Sequence, residues 1–415
     1  MRTFAIKNKI KLGHLSGNGI RFEIDGESYI DAASGTFNLP LGYNHTEMVD
    51  ALTDQIKKAS HASSTYTKPI VENGFSKLLD EAPENINKIF MRDLTGSSAN
   101  EAAIKMAMKS SGKTGVLSLM LSHHGQTALT TSISGNAFRR ESFPSLNYQE
   151  SLKVPAPYCH RCFYGKTYPD CGLLCAERIN DFIEYSSSNQ VACMIIEPVM
   201  GNGGNIVPPK EYFQLIRKIC DEHDIILISD EVQTGLGRTG HMFASNHFDM
   251  KPNIITLAKG LGGIGIPVAA VLMESRLEVF ESYEHSFTSG ANLLAISAAQ
   301  TYLDVLEKEN ILEHVRGNGE LLGEELTELM NHYPFISDVR GLGYMWGLEI
   351  SDREGHEDPK MTQKIVETSL KNGLILRSSR YGFGNVVKVR PPLITSKADI
   401  YEIIEMLKKS LDEVI

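Results

Sequence analysis

Apolar and polar side chains alternate through residues 20–33, "IRFEIDGESYIDAA", on both sides of Asp25 and Gly26. Two period-two segments around a turn dipeptide predict a β-hairpin. The segments "EMVDALTDQIKKA" and "VENGFSKLLDEA" instead carry apolar residues at helical spacing. From about residue 88 the texture changes to short β-branched runs between helical patterns. "KIFMRDLTG" precedes the helix "ANEAAIKMAMKSS", "GVLSLM" and "VACMIIEPV" read as strands, and "EYFQLIRKICDEH" leads to "IILISDE" and "NIITLAK". That alternation predicts a mostly parallel sheet covered on both faces. Beyond about residue 295 a long helical stretch leads to "VRGLGYMWGLEI", another helix, "VVKVRPPLITS" and a final amphipathic helix. The expected fold class is α/β: a large domain over 46–295, and a small α+β domain built from 296–415 and the N-terminal segment 1–45.

Composition narrows the function. The 415 residues are 42% hydrophobic and 22% charged, ordinary for a globular chain of two or three domains. A net charge of −10 argues against a large phosphate-contacting footprint, and so against nucleic acid as the main partner. No apolar run approaches the roughly 18 residues a membrane span needs. The basic start, "MRTFAIKNKIKLGHLSGNG", lacks the apolar core and cleavage site of a signal peptide. The expectation is a cytoplasmic protein without a membrane partner, its six cysteines reduced.

The stretch "IITLAKGLGGIGIP" places one lysine, Lys259, between an apolar strand and a glycine run. Gly260, Gly262 and Gly265 satisfy G-x-G-x-x-G, but a dinucleotide fingerprint must open a helix. Here "IPVAAVLM" follows, which reads as a strand, so the glycines are expected to give close backbone approach and unusual φ. Open α/β sheets bind ligands at the carboxyl ends of their strands. Asp230 ends "IILISD", Lys259 follows "IITLA", and Gly96, Ser97 and Ser98 open a helix after the first strand. A helix N-terminus offers free N–H groups to an anion, although Ser98 with Glu101 also fits a capping box. A phosphate cradle, a carboxylate and a lysine on one sheet edge are the three handles pyridoxal phosphate needs. The lysine forms an imine with the aldehyde, and the carboxylate keeps the ring nitrogen protonated.

These blocks, with "HHGQT", "IIEPVMGNGGNIVPP", "SDEVQTGLGRTG", "HSFTSGANLLAISAA" and "VVKVRPPLIT", resemble those of class III (subgroup II) aminotransferases, pyridoxal-phosphate enzymes of fold type I. The motifs occur in family order over most of the chain. The resemblance implies that Lys259 binds the cofactor and then shuttles a proton. It implies that Asp230 pairs with the pyridine nitrogen, that Gln233 approaches the ring hydroxyl, and that Gly96 and Ser97 hold the phosphate. Thr288 would reach the phosphate of a neighbouring subunit, implying a homodimer with shared sites. Glu197, Glu101 and His124 match positions near the site.

Two places depart from the family pattern. His123 stands where an aromatic residue commonly stacks on the cofactor ring; histidine also titrates near neutral pH, so altered cofactor electronics or affinity are expected, with a tolerated aromatic swap as the plainer alternative. Many relatives carry a carboxylate-binding arginine where this chain has Lys388, with Arg390 two residues on. Either can face the substrate, since residues two apart on a strand share a face. In addition Cys159, Cys162, Cys171 and Cys175 have the spacing C-x2-C-x8-C-x3-C, which suggests a structural metal site, zinc ahead of iron–sulfur, against the plainer reading of four reduced thiols. The leading function is transfer of an amino group from an amino acid or ω-amine donor to a 2-oxo acid or aldehyde acceptor in a ping-pong cycle. The alternative is a racemase, aminomutase or phospho-lyase on the same fold. A catalytically idle homologue is disfavoured because Lys259 and Asp230 are both present.

Overall fold

The computed structural model describes residues 14–63 and 75–415. The basic N-terminus through residue 13 and the start of the helix expected from residue 71 lie outside them. Seven strands form the large sheet, in the order β4 (Lys88–Asp93), β10 (Ala269–Met273), β9 (Ile254–Leu257), β8 (Ile226–Asp230), β7 (Val191–Ile196), β5 (Gly115–Leu119), β6 (Ser151–Val154). From β9 to β6 every pairing is parallel, and β10 alone runs antiparallel to its two neighbours. Every residue of β5, β7, β8, β9 and β10 is buried, as expected of strands covered on both faces. The period of two sorts them. Cys193 and Ile195 pack with Ala99, Ala102 and Ala103 of the Gly96–Ser111 helix. Met194 and Ile196 pack on the other face with Tyr212, Phe213 and Ile216 of the Tyr212–Glu222 helix.

Two four-stranded sheets lie beyond it. The hairpin forms as expected: β2 (Arg21–Ile24) and β3 (Glu27–Asp31) flank Asp25 and Gly26, both at positive φ, as a tight hairpin turn requires. With β1 (Leu15–Asn18) they make a sheet that β13 (Leu374–Ile375) joins by parallel pairing to β3, tying the two chain ends together. The second sheet has the order β11 (Ile336–Leu342), β12 (Met345–Ile350), β15 (Val386–Val389), β14 (Arg377–Ser378). The long helical stretch is two helices, Leu293–Lys308 and Ile311–His332, separated by Asn310 at φ +50°. Among the described residues no helix is long and apolar enough to cross a membrane.

Candidate active site

The strands β4, β5, β7, β8 and β9 all end on one edge of the large sheet. At or within a few residues of those ends, Gly96, His123, Glu197, Asp230 and Lys259 line one cavity of about 1160 Å³. Ser97, His124, Gln233, Lys388 and Arg390 line it too. Ten residues singled out in the sequence therefore meet in one place.

Lys259 leaves β9 in a short 3-10 turn, with its own φ at +44°. A lysine in the left-handed region is strained, of a kind that persists where the surroundings over-determine it. The glycine run opens no long helix, in keeping with the rejection of a dinucleotide turn. The assignment of glycine roles needs correcting, however. Gly260 and Gly262 have ordinary φ and room for a Cβ, whereas Gly263 and Gly265 take φ of +65° and +99°. An L side chain is strained at those φ values, so here the backbone needs glycine. Burial pushes the Lys259 ammonium down from 10.5 to about 8, against the opposing pull of Asp230 and Glu197.

Asp230 is held from three sides. Asn100 Nδ2 donates to its Oδ2 at 2.8 Å, His124 Nδ1 lies 2.8 Å from the same oxygen, and the Val232 N–H donates to Oδ1 at 3.2 Å. Thr256 of β9 donates to Asn100 Oδ1 at 2.6 Å, which fixes the amide's orientation. Asn100 was missed in the sequence. Its signal was its place four residues after Gly96, on the same face of that helix. His124 thus serves as the carboxylate's partner as well as a cavity wall. Glu197 accepts from the His123 and Gly201 N–H groups at 2.8 and 3.0 Å. Burial, helped by Asp230, raises it to about 7.

His123 does not behave as its type suggested. Burial, then Arg139 and Lys259, pushes the imidazole down to about 2, so it stays neutral throughout the physiological range. It stands in the site as an uncharged ring, in keeping with a tolerated aromatic swap rather than with a group that titrates near neutral pH.

The Gly96–Ser111 helix begins at the cavity, where Gly96 and Ser97 line it. Its cap is displaced from the expected one: Thr95 and Ser98 cap each other, and Ser98 Oγ donates to the Thr95 carbonyl at 2.9 Å. Ser98 is therefore spent on the helix end and does not line the cavity. Glu101 accepts from Thr127 Oγ1 and also lies outside the cavity lining. Gly125, at φ +144°, lets Ser97 Oγ approach, since a Cβ there would be 2.6 Å from that oxygen. Thr288 is exposed and outside its own chain's cavity.

The residues fit pyridoxal phosphate. Free helix N–H groups at Gly96 and Ser97 suit a phosphate, and Asp230 suits a ring N–H. Two buried atoms on the cavity wall, His123 Nδ1 and Gln233 Oε1, have no hydrogen-bond partner. The metal expectation does not fit. Cys159, Cys162, Cys171 and Cys175 line one small cavity, yet among the described residues no three His, Cys, Asp or Glu side chains are placed to share an ion. All four are free thiols. Cys175 packs against the apolar cluster beneath the sheet, and burial raises it to about 12. It acts there as a small apolar side chain.

Similarity to known proteins agrees with this geometry. The family model for aminotransferase class-III matches residues 9–411. An acetylornithine aminotransferase of Synechocystis sp. is 33% identical over 94% of this chain and 86% of its own length. An alanine/serine racemase of Pyrococcus horikoshii is 32% identical over 95% of this chain and 84% of its own. The crystal structure of an amine transaminase from an uncultivated Pseudomonas species, in its PLP-bound form, superposes with a TM-score of 0.90 at 26% identity, covering 100% of this chain and 98% of that one. The chain belongs to the class III aminotransferases, pyridoxal-phosphate-dependent enzymes of fold type I.

Proposed function

We propose that this chain exchanges an amino group between an amino acid or ω-amine and a 2-oxo acid or aldehyde, with Lys259 as its covalent anchor and proton carrier. In the exchange one carbon gives up its amino group for a carbonyl oxygen and the other does the reverse, so atoms and electrons balance without an outside oxidant. Bound pyridoxal phosphate supplies an aldehyde and an electron-withdrawing ring. Lys259 Nζ, lowered to about 8, is both nucleophile and base near neutral pH: it takes up the proton at the substrate carbon and returns it. Asp230, fixed by Asn100 and His124, holds the proton on the ring nitrogen. The single observation carrying the reading is this lysine, with its lowered pKa, in the same cavity as a clamped aspartate and a free helix N-terminus.

Relatives named as racemases keep a second reading open, in which the donor's configuration is lost without net transfer. A two-base racemase needs a proton carrier facing the lysine. The ring expected to stack on the cofactor is His123, held too far below neutrality to serve as that carrier. A homodimer is supported by Thr288 lying outside its own cavity, next to Phe287 at 46% exposure and near Tyr283 at 81%. A cytoplasmic location is supported by the unpaired cysteines.

Borohydride treatment of the holoenzyme should leave a phosphopyridoxyl mass on Lys259, and Lys259→Ala should lose both that label and turnover. Stoichiometric keto product from the amino donor supports transfer. Loss of optical activity without keto product supports racemisation. Sustained turnover by Lys259→Ala would refute the assignment.

A further inference from the structure

We propose that Arg139 and Tyr381 form a gate at the mouth of the cavity, which sorts amino donors and acceptors by the bulk of their distal group. Tyr381 lines the cavity and yet is 59% exposed, which places its ring at the mouth. It stands on the turn Ser379–Gly382, between β14 and β15. Phe138 and Arg139 come from the large sheet's side, in the short turn after the Ala128–Ile133 helix, which packs beside β5 and β6. The Arg139 guanidinium lies 4.3 Å from the centre of the Tyr381 ring and 5.4 Å from that of Phe138. Phe138 in turn packs on Phe383, with 5.3 Å between ring centres. These are the distances of cation–π and ring–ring contact. Arg139 is also close to the chemistry: after burial, it is among the charges that lower His123 and Lys259.

The clasp is held close to opening. Arg139 Nε and Nη2 are buried with no hydrogen-bond partner, so parting the rings lets water reach two unpaired donors. Arg380 and Tyr381 both lie in the left-handed region, at φ +46° and +55°, a strain that persists only where neighbours over-determine it. The start of the turn is anchored: Arg380 pairs with Glu357, and Ser379 Oγ accepts from the Val386 N–H at 3.2 Å. Its far end has glycine freedom at Gly382, φ +98°. Ring contacts therefore favour the closed mouth, while idle donors and backbone strain favour the open one. A slim substrate slips past Tyr381, whereas one that ends in a ring must part the clasp. The room behind is ample, since about 1160 Å³ exceeds the roughly 300–1,000 Å³ of ordinary ligand pockets. The constraint is at the entrance.

The gate acts on the substrates of the proposed transfer and rests on that reading for its consequence, but its main test does not. An alkoxyamine displaces the Lys259 nitrogen from the aldehyde carbon of the bound cofactor: a new C=N bond forms, the bond to lysine breaks, and the lysine is released as an amine. Stopped-flow absorbance would compare methoxyamine with O-benzylhydroxylamine on the cofactor-loaded protein, each rate divided by that with free pyridoxal phosphate. The benzyl reagent should be slower by about tenfold, the scale of one cation–π contact. Tyr381→Ala and Arg139→Gln should each cut that difference to about threefold or less, whereas Tyr381→Phe, which keeps the ring, should preserve it. In Tyr381→Ala, kcat/KM for an arylalkylamine donor should rise relative to that for a short alkylamine. Equal rates for the two reagents on the unaltered protein overturn the proposal. So does a difference that survives both Tyr381→Ala and Arg139→Gln, or one that Tyr381→Phe loses as fully as Tyr381→Ala. The expected selectivity without turnover of any amino donor would sink the transfer reading and leave the gate standing.

Discussion

The environment of Lys259 makes a prediction with a calculable size. At its ordinary value of 10.5, roughly 0.03% of the amine would be neutral at pH 7, whereas at about 8 the fraction is roughly 9%, about 300-fold more. Burial sets the direction, because a desolvated ammonium is disfavoured, and Asp230 and Glu197 pull the other way. Asp230→Asn removes the larger opposing pull while keeping one oxygen as an acceptor, so the amine should titrate below about 8. Glu197→Gln should act in the same direction with a smaller effect, since burial raises that carboxyl to about 7 and leaves it partly protonated.

Trace acetylation of the cofactor-free protein, read by peptide mass at Lys259 across pH, reports the neutral fraction directly. Labelling should be half-maximal near pH 8 in the unaltered chain and at lower pH in Asp230→Asn. A midpoint at 10 or above would refute the argument that burial activates the amine. A rise on Asp230→Asn would refute the assigned sign of the carboxylate's contribution.

Gly125→Ala should weaken pyridoxal phosphate binding at least about tenfold with the fold intact, because the new Cβ strikes Ser97 Oγ at a φ that only glycine adopts readily; an unchanged cofactor Kd counts against the cradle. His123→Phe should leave the pH profile of turnover unmoved between about 5 and 8, since the imidazole carries no proton there; the disappearance of a break in that range would show that His123 does titrate. Glu349→Gln should cost on the order of 3 kcal/mol in urea denaturation, by leaving Arg340 and Arg161 without their shared carboxylate. Burial alone would raise Glu349, yet Arg340 and the bonds from Tyr158 and Arg161 hold it down to about 2 against 4.5. Its stabilisation is therefore full above about pH 4.5 and is lost as pH falls toward 2; acid titration of the variant should lack that loss.

What the sequence made legible follows from where local patterns decide the structure. β-branched runs on β7 and β8 are buried on both faces, so their strand character and central place show in composition alone. Lys259, Asp230 and Gly96 were visible because strand ends are where an open sheet places its ligands. Other features needed neighbours distant in sequence. The neutral state of His123 depends on Arg139 and on burial. Arg377 reaches the cavity wall only through its register with Lys388. The cysteine spacing suggested a metal, but packing beneath the sheet turned at least Cys175 into an apolar filler, which spacing does not encode. The capping box fell on Thr95 and Ser98, three residues before the expected pair, because the helix begins at Gly96.

The two buried charge clusters of this protein show how packing separates structure from function. Around Glu349, Arg340 and Arg161 supply charge, Tyr158 and Asn385 supply donors, and the carboxylate is satisfied on every side. Such a network locks the loop that carries Arg161 to β11 and β12 and needs no ligand. Around Lys259 the same kinds of groups are left incomplete: a lysine at positive φ, a carboxyl raised to about 7, facing cations, and an arginine with two idle nitrogens. Each of these costs stability, and they share one cavity at the carboxyl edge of a parallel sheet. Local rules that fail singly are defects, but rules that fail together around one empty volume describe what should fill it. Here that is an aromatic ring with a protonated nitrogen and a phosphate.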